Sequence, residues 1–135
     1  MPRSRPRLAA PSGAAAPLEA VAPGGETVDV RALAQEVCRR YRSEFPDEEE
    51  RYGDAGRAWC VHDNQYLLHW ALLDAQGTTS LDEQVAWLAR VLGARDFPLD
   101  RLARDLEICA DVVTETGGAW AADVAARLRA VASGL

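Results

Sequence analysis

Residues 57–74, RAWCVHDNQYLLHWALLD, place apolar side chains almost all the way round a helical wheel turned at about 100° per residue. A helix with no polar face cannot lie on a surface, so the remaining chain must wrap it. The segment predicts a central, buried helix.

The flanking segments have the period needed to do the wrapping. Val30, Leu33, Val37 and Tyr41 recur at helical spacing, and Phe45 closes that face before Pro46 stops the helix. Pro46 opens a short acidic turn, PDEEERYG, whose carboxylates suit a helix start; Gly53 ends it. Asp54 then caps the long second helix, predicted to run to about Ala75, with Gly77 as its stop. Ser80 and Glu83 form a capping box for a third helix with Leu81, Val85, Leu88 and Leu92 on one stripe. Pro98 begins a fourth, carrying Leu99, Leu102, Leu106, Cys109 and Val113 until Gly117-Gly118 breaks it. A fifth carries Trp120, Val124, Leu128 and Val131. No strand-like alternation and no internal repeat interrupts the series. The expected fold is all-α, a compact bundle of about five helices, bundle-like or globin-like, over residues 26–135.

Residues 1–25 read differently. Their Ala, Pro and Gly content buries too little apolar surface to offset ordering, so they are expected to form a disordered leader, dispensable for folding. Three arginines against Glu19 give the leader a charge of +2, whereas twelve arginines against twenty acids give residues 26–135 a charge of −8. An acidic domain is a poor partner for phosphate backbones, which argues against nucleic acid. No apolar run is long enough for a membrane span, and prolines interrupt the leader where a signal peptide needs an apolar helix. Cys38, Cys60 and Cys109 are odd in number and lack a C-x-x-C pair, the pattern of reduced thiols in a cytoplasmic protein.

The few polar residues inside the central helix are the candidate site. His62, Gln65 and His69 share a stripe beside Tyr66, but two histidines seven residues apart stand about 10 Å apart along the axis at 1.5 Å per residue. Zinc pairs on a helix use spacings of three or four, so no metal site is expected. The stripe reads first as a polar seam; a single axial histidine for haem is the alternative. Asp63 falls between Leu67 and Trp70 inside an apolar arc, where a carboxylate must be paired or protonated. It is either an ion pair with Arg57, Arg90 or Arg95, or an acid lining a ligand pocket with Trp59, Tyr66 and Trp70. An acid–base enzyme using Asp63 with His62 or His69 is the weakest reading, because no phosphate loop, nucleophile elbow or zinc-protease helix accompanies it.

The runs RYGDAGRAWCVHDNQYLLHWAL and EQVAWLARVLGARDFPLDRLARDLEIC resemble a helical domain that precedes the cobalamin-binding domain in bacterial regulatory proteins. The resembling positions are Arg51, Tyr52, Gly53, Gly56, Arg57, Cys60, Asp63, Trp87, Leu88, Leu92, Arg95, Pro98, Leu102 and Leu106, within residues 36–115. The family pattern has a histidine one turn after the aspartate, where this chain has Leu67. The cobalamin-binding signature D-x-H-x-x-G is absent. The resemblance implies a regulatory or sensory role with cobalamin as the first candidate cofactor, and haem is the second.

The function expected is therefore a non-enzymatic cytoplasmic module that binds a hydrophobic small ligand or a protein partner. A partner, including a second copy of the chain in a homodimer, is expected on a second apolar face made by Trp87 and Val91 of the third helix with Ile108 and Val112 of the fourth.

Overall fold

A computed structural model of the chain describes residues 8–135, and it is all-α apart from one small ribbon. Five helices follow one another: α1 (Val30–Glu44), α2 (Asp47–Ala75), α3 (Leu81–Gly93), α4 (Leu99–Glu115) and α5 (Ala121–Ser133). Ahead of them β1 (Ala20–Val21) pairs antiparallel with β2 (Thr27–Val28) around a Pro-Gly-Gly turn in which Gly24 and Gly25 both take positive φ.

Local chemistry explains most of the boundaries. Asp29 caps α1 by accepting the amide of Ala32 at 2.9 Å, a cap the apolar spacing alone did not reveal. Ser80 caps α3 by accepting the amide of Glu83 at 3.2 Å, one arm of the expected box. The acidic turn and the long helix are continuous except at Gly53, whose φ of 62° and ψ of −154° lie where only glycine goes freely. Gly56, one turn on, makes room for the bend, because a Cβ there would lie 2.2 Å from that of Tyr52. The two glycines together swing the first turns of α2 away from its long axis.

Packing is most extensive between α4 and α5, then between α1 and α2, with α1 also lying on α4. This arrangement buries α4 on opposite sides, and Ile108 and Val112 are core residues, 1 % and 4 % exposed. The expected outward face on α4 therefore does not exist. A wheel drawn for a helix with one buried side misassigned a helix that has two. Conversely, Trp59, Tyr66 and Trp70 of α2 are only partly covered, so the central helix is not enclosed as its composition suggested. Asp74 ties three elements together at the far end, accepting the amide of Leu81 at 2.6 Å and pairing with Arg127 of α5.

The leader also differs from expectation from Leu8 onward. Ala22 is buried in the core, Gln65 donates to the carbonyl of Pro17 at 2.9 Å, and Gln76 donates to that of Val21 at 2.7 Å. Low hydrophobicity hid this, since the leader is held by backbone carbonyls and by small alanine side chains, Ala22 above all. Arg3, Arg5 and Arg7 lie outside the described residues.

Candidate functional site

Of the five helices, α3 packs the least, and between it, α2 and the start of α4 there is a cleft of about 1200 Å³. That is ample for a small organic molecule. Along its α2 wall runs a ladder of rings spaced one helical turn apart. Trp59 meets His62 edge-on at 5.1 Å, His62 meets Tyr66 at 5.1 Å, and Tyr66 meets Trp70 at 5.7 Å. Trp87 and Val91 face the ladder from α3, with Trp87 50 % exposed. Tyr52, carried in by the Gly53 bend, stands 6.3 Å from Phe97 at one end. At the rim Trp59 donates its indole N–H to the carbonyl of Ala9 at 2.6 Å, and Leu8 lines the opening.

Five of the six expected ligand-binding residues thus share one cavity: Trp59, His62, Asp63, Tyr66 and Trp70. His69 does not line it. It shares a helix stripe with Gln65, on the side where the leader crosses, and its buried Nδ1 has no hydrogen-bond partner among the described residues. Desolvation holds its pKa below the ordinary value. The two histidines therefore serve different surroundings, and His62 is the one beside the cleft.

Asp63 is not the structural ion pair that burial alone would demand. No arginine among the described residues reaches it: Arg57 instead bonds Glu49 at 2.6 Å, and Arg95 acts on it only at a distance. Its Oδ1 lies 3.3 Å from Nδ1 of His62, and its side chain is 27 % exposed. Desolvation raises its pKa above the usual carboxylate range, with His62 and Arg95 opposing the shift.

The floor of the cleft holds residues that the sequence reading passed over. Asp105 of α4, 7 % exposed, accepts a hydrogen bond from Asn64 Nδ2 at 3.2 Å. Burial, only partly offset by Asn64 and reinforced by the neighbouring Asp63 and Glu48 charges, lifts its pKa to about 7. Asn64 also donates to the carbonyl of Cys60 at 2.9 Å and accepts the Cys109 thiol at 3.2 Å, while Cys38 Sγ lies 3.4 Å from its nitrogen. Three cysteines far apart in the chain therefore meet round one amide. All are free thiols; the hydrogen bond with Cys38, followed by burial, pushes that of Cys60 well up, and burial does the same at Cys109. Thiols so held are poor nucleophiles.

Glu48, equally buried, has a counter-charge: the Tyr41 hydroxyl donates to its Oε1 at 2.6 Å and Arg101 donates to the same oxygen at 2.9 Å, the Arg101 guanidinium also lying over the Phe45 ring at 4.5 Å. A signal for Asp105 and Asn64 did exist. Asp105 sits on the stripe of Leu102, Leu106 and Cys109, and Asn64 sits between Cys60 and Leu68, each a polar residue at an apolar position.

No cluster of histidine, cysteine and acidic residues among the described residues has the arrangement of a metal site. No helix of the described chain is long and apolar enough to cross a membrane. No family model, curated protein or solved structure matches the chain.

Proposed function

We propose that this protein is a non-enzymatic regulatory or sensory module that binds a hydrophobic small molecule in the aromatic cleft between α2 and α3. The observation that carries the reading is the ring ladder Trp59–His62–Tyr66–Trp70, left open to a cavity of about 1200 Å³ instead of being packed into the core. A bundle of this size gains stability by closing such a wall, and large rings left partly exposed along a concave surface are the usual construction of a ligand site. The raised thiols of Cys60 and Cys109 speak against a cysteine nucleophile at this site. Eleven of the fourteen positions that carry the resemblance to the cobalamin-associated domain line this cleft, the exceptions being Arg57, Pro98 and Leu106. Most of the positions that carry the resemblance are thus gathered at the cavity.

Two more specific readings follow from single residues. His62 is the one imidazole on the cleft among the described residues, so it would be the residue to hold the metal of a cobalamin or haem. A protein partner would use Trp87 and Val91, the half of the expected interface that remains accessible.

Calorimetric titration with the uncharged dye Nile red tests the main reading. We expect saturable binding of one equivalent, weakened at least tenfold by Trp70→Ala together with Tyr66→Ala in a protein that keeps its helical circular dichroism. Asp63→Ala should leave the melting temperature unchanged or higher, since no buried arginine loses a partner. Absence of Nile red binding by the unmodified protein would refute the reading. An absorbance spectrum after mixing with cobalamin or hemin, repeated on His62→Ala, tests the cofactor form.

A further inference from the structure

We propose that the cleft selects organic cations, amines or quaternary ammonium groups with an apolar substituent, which the Asp63 and Asp105 carboxylates neutralise against the faces of Trp59, Tyr66 and Trp70. The proposal rests on the cleft being a small-molecule site and specifies the chemistry of what enters it.

The first ground is the charge of the lining. Of its aspartates, glutamates and arginines, Glu50, Asp54, Arg51 and Arg95 lie exposed toward solvent and Glu48 is paired with Arg101, which leaves Asp63 and Asp105 as the acids inside the cleft without an arginine. The second is that one of the two buried carboxylates of the lining has no counter-charge. Asp105 is 7 % exposed and lines the cavity, yet among the described residues its Oδ1 receives one bond from Asn64 and its Oδ2 receives none. Glu48 shows what this fold does when it buries an acid for structure: it supplies both a guanidinium and a hydroxyl. Asp105 and Asp63 are given neither, although Asp63 lies close enough to raise the charge cost at Asp105. A bound cation supplies the missing counter-charge.

The third ground is the ring ladder. The π-faces of tryptophan and tyrosine attract cations, and desolvation beside a carboxylate strengthens that attraction. An anionic ligand would meet the same carboxylates as repulsion. A neutral one would leave them with no partner beyond His62 and Asn64.

Isothermal titration of the full chain with benzyltrimethylammonium, and separately with its uncharged isostere neopentylbenzene, tests the selectivity at pH 8. The expected result is that the cation binds at least tenfold more tightly. Asp63→Asn and Asp105→Asn, each checked for native circular dichroism, should each lower cation affinity at least tenfold and narrow its margin over neopentylbenzene. Asp63 is partly exposed, so its variant tests the cleft independently of the buried Asp105. Equal binding of cation and isostere, or an Asp63→Asn protein that binds the cation as well as the unmodified chain does, would overturn the proposal while leaving the cleft a ligand site. Failure of both compounds and of Nile red would remove the ligand site itself and the cation selectivity with it.

Discussion

Asn64 on α2 and Asp105 on α4 join across the bundle by a single hydrogen bond of 3.2 Å, and no other side chain among the described residues donates to that carboxylate. One neutral donor does not balance the desolvation of a buried charge, so Asp105 holds its proton to about pH 7 where an unfolded aspartate loses it near 3.8. Between those values the folded protein binds the extra proton. The contribution of Asp105 to stability is therefore full below about pH 3.8 and declines as pH rises to about 7. We expect Asp105→Asn, whose amide oxygen can still accept from Asn64, to be more stable than the unmodified chain at pH 8, by at most about 4 kcal/mol, and to lose this advantage near pH 4. Urea titrations at the two pH values measure it.

Arg101 is the opposite case. It bonds Glu48 at 2.9 Å and Asp47 at 2.9 Å and stacks on Phe45, so it neutralises an acid that is already inside. Arg101→Ala leaves Glu48 with the Tyr41 hydroxyl alone. The expected loss is about 3–5 kcal/mol, read from the urea midpoint at constant slope.

Gly53 sets the angle at which Tyr52 enters the cleft. Gly53→Ala forces a Cβ into a backbone conformation that costs an L-residue roughly 1–3 kcal/mol. We expect the melting temperature to fall accordingly, whereas Gly93→Ala, at a helical position with open space around it, should lower it little or raise it. Thermal melts of the two variants make the comparison.

A chain beginning at Glu26 loses Ala22 from the core and the carbonyls that Gln65 and Gln76 use. It also frees the indole N–H of Trp59. A loss of roughly 1–3 kcal/mol is expected, with helical circular dichroism retained below the melt. An unchanged melting temperature would return the leader to the dispensable role that its composition suggests.

What could be read from the sequence was local. Ser80, Pro46 and Gly53 act on their own few residues, and their effects were legible from spacing and chemistry alone. That Trp59, Tyr66 and Trp70 share a wall was legible for the same reason, since helical spacing fixes it, whereas His62, assigned to the stripe of Gln65 and His69, turns out to be the ring between Trp59 and Tyr66. Partners across helices were not. Asp63 had three candidate arginines and receives none, while the three cysteines meet at Asn64 through packing that no single helix encodes. Ile108 and Val112 failed as an interface because whether a helix has one buried side or two depends on its place in the bundle, which only the assembled helices determine.

The distribution of the tryptophans makes the protein its own spectroscopic gauge. Trp59, Trp70 and Trp87 line the cleft, and Trp120 is buried in the core at the start of α5. Replacing Trp120 with phenylalanine would leave an emission spectrum that originates entirely at the cavity wall. Replacing the other three would leave one that follows the core alone. Occupancy of the cleft and cohesion of the bundle, ordinarily superimposed in one fluorescence signal, are thus separable in this chain by choosing which indoles remain.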